Sequence, residues 1–342
     1  SIAFTPLQGL FGIITPSGLH FERHHAGWHD IDPSSHRLMI NGLVATPKVY
    51  TLGELMRLPS VSRMHFIECG ANTAMDWGSP AVPTVQYTHG MLSCSEFTGV
   101  PLRVLFDLCG VDYKRARYVL AEGADGSSMT RTVPMELVES GEVFVAYGQN
   151  GEALRPQQGF PVRLMVPGFE GIYHTKFLRR IKVTKEFYMN YNEFGHLTKD
   201  DKTLALGEQI GPKSVITFPS GTQRLPGPGL YEISGLAWSG GGAVKMVEVS
   251  TDGGKTWNRA EFKTAAHRMA HVRFAYSWKW DGSETVIMSR TTDDIGQRQA
   301  LREEIAGWWK VPYDRDYRVP GLDNSVMPWK IAKDGMVTNG LA

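Results

Sequence analysis

Met64-His-Phe-Ile-Glu-Cys-Gly-Ala-Asn72 is a short apolar run that halts at a cysteine and a Gly-Ala-Asn turn. A stretch of this length closed by turn residues reads as a strand, and the turn leaves the sulfur of Cys69 at a strand end, where a loop can present it to a bound group. Taken alone, the residues favour an inert buried thiol, because free cysteine is among the most buried residue types. What lies on either side of the run decides between the two.

The chain of 342 residues is 42% hydrophobic and 21% charged, enough for two ordinary domains with self-sufficient cores. Its 36 basic and 35 acidic residues leave a formal net charge of +1. No broad field therefore points to nucleic acid or a membrane surface, and the substrate is expected to be small, or a protein. Cys69, Cys94 and Cys109 are an odd number that defines no disulfide framework, and none stands in a C-x-x-C-H, so no covalent c-type haem is expected. No apolar run of about 18 residues marks a membrane span. No charged and apolar leader pattern follows Ser1. G-x-G-x-x-G and P-loop patterns are both missing, so neither a dinucleotide fold nor a nucleotide-triphosphate fold has support.

Upstream of the run, residues 1–20 are rich in Pro and Gly (Pro6, Gly9, Gly12, Pro16, Gly18) and read as an extended arm laid on a surface. A strand is expected at 37–44, then a short helix from Thr51, where Thr51 and Glu54 form a capping box and Pro59 ends the helix. A second helix has Pro101 at its first position and Gly110 at its end, with Leu102, Leu105, Phe106 and Cys109 at helical spacing; that places Cys109 in a core. A third spans 134–139. Strands at 117–121, 143–147 and 161–166 lie between these helices without regular alternation, which argues for an α+β domain. After about residue 200 the pattern becomes strand, turn, strand: 230–238, 244–250, 257–262 and 285–290 around Gly-rich turns. Phe274, Tyr276, Trp278 and Trp280 fall at a strict two-residue period, one aromatic face of a half-buried strand. This spacing suggests an immunoglobulin-like β-sandwich. The expected domains are therefore an arm at 1–20, a first domain at 21–200, a sandwich at 201–308 and a second arm at 309–342, with the boundary in the polar segment from about Tyr188 to Lys213.

Two further stretches carry chemistry. In His20-Phe-Glu-Arg-His-His25, followed by His29, the histidines could hold zinc, but no second pair completes a site and the central arginine suits an anion better. In Arg155-Pro-Gln-Gln-Gly-Phe-Pro-Val-Arg163, running on through His174-Thr-Lys176 to Lys182, basic residues face only Glu170 as a local acid. That excess suggests a site for phosphate or another anion, although charge runs are usually a solvated face.

Read together, an Arg-His-His segment, a lone Cys in Cys-Gly-Ala-Asn and Gly-Phe-Pro-Val-Arg followed by His-Thr-Lys resemble, in this order, the molybdopterin-binding motifs of the sulfite oxidase family. Within it, phrases such as Arg37-Leu-Met-Ile-Asn-Gly-Leu43, Tyr87-Thr-His-Gly-Met91, Asn150-Gly-Glu-Ala-Leu-Arg-Pro156 and Leu236-Ala-Trp-Ser-Gly240 are similar to the molybdenum subunits of bacterial sulfane dehydrogenases. The resemblance covers residues about 20–320 and implies a molybdopterin domain joined to an immunoglobulin-like dimerisation domain. It implies that Cys69 is the one protein ligand to molybdenum, which suits a soft metal whose other ligands come from the pterin dithiolene and oxo groups. It implies pterin and phosphate contacts at Phe21, Glu22, Arg23, His24, His25, Asp125, Gln158, Arg163, His174, Thr175 and Lys176, with Arg23 also holding the substrate anion.

The chain departs from the sulfite oxidases at Ala74, where they carry arginine, and at Gln158, where they carry histidine. Their active-site tyrosine has no clear match among Tyr188, Tyr191 and Phe194. It departs from the sulfane dehydrogenases at Phe169 and at Ile172-Tyr-His174. A pocket short of one cation holds a free dianion less well, by about 1.5 to 3 kcal/mol for a charge-assisted contact. The expectation is molybdenum-dependent oxidation of sulfane sulfur on a carrier protein, in the periplasm. Electrons would pass to a separate c-type cytochrome, and the protein would be a homodimer or a heteromer. The alternatives are a sulfite dehydrogenase acting on free sulfite, and a cofactor-free binding protein that uses the sandwich as its adhesive part.

Overall fold

The computed structural model describes residues 2–73, 80–188, 196–197, 203–204, 209–309 and 323–340. Two five-stranded sheets build the first half. One runs in the order Glu152–Ala153, Phe144–Gln149, Leu92–Pro101, Val61–Glu68, all antiparallel, with Arg163–Met165 also paired to Phe144–Gln149. The other runs Lys48–Tyr50, Leu38–Gly42, Leu178–Thr184, Tyr118–Gly123, Thr130–Pro134. In it Leu178–Thr184 is parallel to Leu38–Gly42 and antiparallel to Tyr118–Gly123. The fold of this half is strand-rich, with few and short helices.

Local chemistry accounts for the helices. Leu52–Met56 is closed by the expected capping box, Thr51 accepting from the Glu54 amide while the Glu54 carboxylate accepts from the Thr51 amide. Leu102–Cys109 presents Leu102, Leu105, Phe106 and Cys109 to the core and stops at Gly110, whose φ of 65° is left-handed. Pro101 stands one place before the helix, as its N-cap, and Pro134 does the same for Met135–Glu139. This helix side of the second sheet, with Leu38, Ile40, Val119, Ala121, Ile181 and Val183, forms one core.

The second half is a pair of antiparallel sheets around a shared core. One is Lys213–Phe218, Gly229–Trp238, Val272–Trp280, Glu261–Phe262; the other is Asn258–Arg259, Val244–Ser250, Thr285–Asp293, Pro328–Ile331, Val337–Asn339. The aromatic face of Val272–Trp280 is buried at Phe274, Trp278 and Trp280. Two expectations are corrected. The strand expected at 257–262 is split: Asn258–Arg259 pairs with one sheet and Glu261–Phe262 with the other, because Ala260 turns into the core between them. The tail after 308 is not an irregular arm where it is described, since Pro328–Ile331 and Val337–Asn339 extend the second sheet. Pro328 is tolerated there as the first residue of its strand.

Three devices join the halves. The N-terminal segment bonds through its backbone to Gly90 and Cys94, buries Leu7 in the second core and receives the Arg273 guanidinium on Gly12 O. Gly168 and Gly240 meet backbone to backbone, where a Cβ on Gly240 would stand 2.1 Å from Gly168 O. Glu68, at the end of the strand leading to Cys69, is reached by Lys213 and Trp238 of the second half.

Candidate active site

The strand Val61–Glu68 ends as the sequence suggested, and the chain turns over Cys69 with the Asn72 amide donating to Cys69 O at 2.8 Å. Cys69 opens onto a cavity of about 180 Å³ walled by the segments 20–27, 67–71, 125–129, 158–163 and 170–177. Burial and the nearby Glu170 and Glu68 carboxylates raise its thiol pKa, against the Ala71 amide and the Arg23 cation, which lower it. Cys94 and Cys109 are core residues, and burial pushes the Cys94 thiol up to about 12.

The structure brings Phe21, Arg23, His24, His25, Asp125, Gln158, Arg163, His174, Thr175 and Lys176 to the same cavity. Glu22 is not among its walls. It pairs backbone to backbone with Ala3, and its carboxylate stands 3.5 Å from His24 Nε2.

Three cations, Arg23, Arg163 and Lys176, face the cavity, whose wall also carries the carboxylates of Asp125 and Glu170. Arg163 is buried, and it donates only to uncharged acceptors: Nη1 to Gln158 O at 3.1 Å and Oε1 at 3.4 Å, and Nη2 to His174 O at 3.2 Å. Burial lowers its pKa to about 9, which still leaves it charged at neutral pH. Lys176 donates to Arg23 O at 3.2 Å, Gln157 O at 3.1 Å and His24 Nδ1 at 2.8 Å. Burial first and Arg163 next bring its pKa down to about 7. When Lys176 is charged it can only donate, so His24 Nδ1 then accepts and its proton sits on Nε2; burial and Lys176 hold this ring neutral, at about 4. Lys176 lies against Gly159, which has φ +98° and whose Cβ, if present, would be 2.8 Å from Lys176 Cβ. Only glycine fits that close approach.

Other residues of the wall are also bonded to their own surroundings. Gln158 crosslinks the site, its Nε2 donating to Phe21 O at 3.0 Å. Asp125 accepts from Ser127 Oγ and from the Met129 amide, tying its own loop. His174 is held neutral by burial, with Nδ1 accepting from the Val166 amide and Nε2 3.3 Å from Phe169 O. Tyr188 stands outside the cavity, its ring 5.3 Å from Lys182 Nζ. Ala74, Tyr191 and Phe194 lie outside the described residues.

Residues of the cavity wall that sequence reasoning did not select include His20, Ile67, Met129, Glu170, Ile172 and Phe177. His20 had a signal, standing in the histidine cluster itself. Its Nδ1 is 3.0 Å from Phe21 O, and burial lowers its pKa to about 3. Neutral and donating from Nδ1, it leaves Nε2 as an unpartnered acceptor. Arg163 Nε and Thr175 Oγ1 are unpartnered too. Buried polar atoms of native proteins are almost always satisfied, so donors and acceptors left over at one cavity fit a ligand rich in both. A pterin carrying a phosphate is such a ligand. Among the described residues no group of three His, Cys, Asp or Glu forms a metal-holding cluster. A thiolate acting alone fits a metal that arrives with its other ligands on an organic cofactor.

Residues 25–192 match the family described as oxidoreductase molybdopterin binding domain, and residues 208–301 match the Mo-co oxidoreductase dimerisation domain. Fold and site thus define a molybdopterin oxidoreductase domain followed by a dimerisation domain. The crystal structure of the sulfane dehydrogenase SoxCD from Paracoccus pantotrophus is 40% identical, covers 99% of this chain and 86% of its own, and superposes with a TM-score of 0.92. The NADH nitrate reductase of Solanum lycopersicum is 33% identical over 322 residues, 80% of this chain and 34% of that protein. The NADPH nitrate reductase of Phytophthora infestans is 30% identical over 310 residues, again 80% and 34%. The chain spans about a third of the length of these curated relatives. The chain belongs to the sulfite oxidase family of molybdopterin oxidoreductases.

Proposed function

We propose that this chain is the molybdenum-bearing part of an enzyme that oxidises sulfane sulfur carried on a protein, in the periplasm, passing electrons to a c-type cytochrome. The observation that carries the reading is one cavity in which the thiol of Cys69 meets Arg23, Arg163, Lys176 and the unpartnered buried atoms His20 Nε2, Arg163 Nε and Thr175 Oγ1. Cys69 would hold the metal. Arg163, Thr175, Lys176, His20 and the backbone of the 21–25 segment would hold the pterin and its phosphate, leaving Arg23 for the substrate. When bound, the cofactor supplies oxygen-atom transfer and electron storage; the protein supplies orientation, positive charge and shielding from water. Overall, one water oxygen joins the sulfur, and two protons and two electrons leave.

Two points favour carried sulfane over free sulfite. The chain is similar to a sulfane dehydrogenase over its whole length. Gln158, a neutral amide, stands in the cavity where sulfite oxidases carry histidine. The second domain is read as an immunoglobulin-like unit for a homodimer or a heteromer with the cytochrome.

The test combines metal content with turnover. Loaded wild-type protein should hold stoichiometric molybdenum and reduce cytochrome c with sulfane on a carrier protein, and Cys69→Ser should fold and lose both. Saturation by sub-millimolar free sulfite would overturn the sulfane reading, and a freely alkylated Cys69 with no molybdenum would overturn the enzyme reading.

A further inference from the structure

Glu68 precedes Cys69 and is 1% exposed; Lys213, from the second domain, is 2% exposed. Lys213 Nζ donates to Glu68 Oε1 at 2.7 Å, Asn72 Nδ2 to the same oxygen at 2.9 Å, and Trp238 Nε1 to Glu68 Oε2 at 2.7 Å. Lys213 and Trp238 are cross-strand partners, so they reach the carboxylate side by side. The same lysine donates to Thr73 Oγ1 at 3.4 Å, and Asn72 Oδ1 accepts from the Met91 amide at 3.1 Å. The whole turn from 68 to 73 is therefore gripped at both ends, with Cys69 between the grips. Replacing a buried ion pair with packed apolar residues is often neutral or stabilising. Stability alone is a poor reason for this pair, and what it fixes is the better one.

We propose that Glu68 is a positioning residue for Cys69, and that Lys213 and Trp238 make the second domain a working part of the site. Through them the second domain sets where the sulfur points. The inference rests on the reading of Cys69 as the metal-holding residue. Its test includes a readout that does not need the metal.

The variant is Glu68→Gln in the full chain, with Trp238→Phe as a milder second that removes one donor and keeps a ring. Both should fold, judged by circular dichroism and by size in light scattering. In cofactor-free protein, iodoacetamide should alkylate Cys69 faster in each variant than in wild type. In loaded protein, kcat should fall about 10- to 100-fold for Glu68→Gln, as expected of a displacement near 1 Å, with little change in KM. The electron paramagnetic resonance signal of the one-electron-reduced enzyme should change its anisotropy, and Lys213→Arg should retain the wild-type signal. Wild-type alkylation rates and an unchanged signal in a folded Glu68→Gln or Trp238→Phe would overturn the proposal, leaving the network a simple domain clamp. Absence of molybdenum from wild type would instead count against the reading of Cys69, and the alkylation comparison would still decide the positioning.

Discussion

Replacing Arg163 by methionine separates a residue kept for the fold from one kept for a ligand. Burial lowers the guanidinium pKa from 12.5 to about 9, which at 1.36 kcal/mol per pKa unit is a folding penalty of about 5 kcal/mol. Against it stand hydrogen bonds to Gln158 O, Gln158 Oε1 and His174 O, about 1 kcal/mol each. The Phe97 ring, 5.8 Å from the guanidinium carbon, adds about 0.5 to 1 kcal/mol. The balance predicts that cofactor-free Arg163→Met is about 1 to 2 kcal/mol more stable than wild type in urea unfolding. Loss of one charge-assisted contact should weaken cofactor retention roughly 10- to 150-fold, read as molybdenum left after dialysis. A variant destabilised by about 3 kcal/mol or more, as when a satisfied buried pair is broken, and still fully loaded, would refute the reasoning.

Lys176 predicts a pH signature. Its folded pKa of about 7 lies below the ordinary 10.5, so between those values the unfolded chain binds a proton that the folded chain has released. Cofactor-free wild type should therefore gain stability as pH rises through that window relative to Lys176→Met, and a flat difference between the two curves would contradict it. The same protein should bind sulfate, a dianion that does not titrate in this range, more tightly as pH falls through about 7, an effect calorimetry should find missing in Lys176→Met. Gly159→Ala forces a Cβ against Lys176 Cβ at 2.8 Å and into φ +98°. It should cost about 1 to 3 kcal/mol in unfolding and lower molybdenum content together; normal values of both would show the loop is not held against the lysine. Cys69→Ser keeps an acceptor for the Ala71 amide, so its cofactor-free stability should stay within about 1 kcal/mol of wild type. A larger loss by thermal unfolding would make the thiol a core residue.

The elements written in strong local signals were legible: the Thr51–Glu54 box, the Gly110 stop and the two-residue aromatic period of Val272–Trp280. Leu92–Pro101 escaped because its polar residues turn inward. Ser93 and Ser95 are fully buried and satisfied, Ser93 Oγ 2.6 Å from Thr5 Oγ1 and Ser95 Oγ accepting from Gln149 Nε2 at 3.0 Å. A serine paid no attention to in a pattern of apolar alternation can still lie in a strand when a distant segment supplies its partner. The sheet switch at Ala260 and the strands after Pro328 depend on pairings with strands distant in sequence that no local window contains.

Site residues were legible as types and not as roles. Arginine between histidines, a lone cysteine and a basic run each point to anion or metal chemistry, and the fold brings members of all three to one cavity. Which atoms remain available is set by neighbours far along the chain. His174 spends its ring on the Val166 amide and the Phe169 carbonyl, while His20, one bond short, keeps an acceptor at the cavity. Segments this distant converge with three cations, Arg23, Arg163 and Lys176, beside the carboxylates of Asp125 and Glu170, and they leave His20 Nε2, Arg163 Nε and Thr175 Oγ1 without a hydrogen-bond partner. A ligand that brings negative charge and hydrogen-bonding edges of its own would satisfy them, and under the proposed function the lone thiol at the end of Val61–Glu68 would hold that ligand's metal at one wall of the cavity.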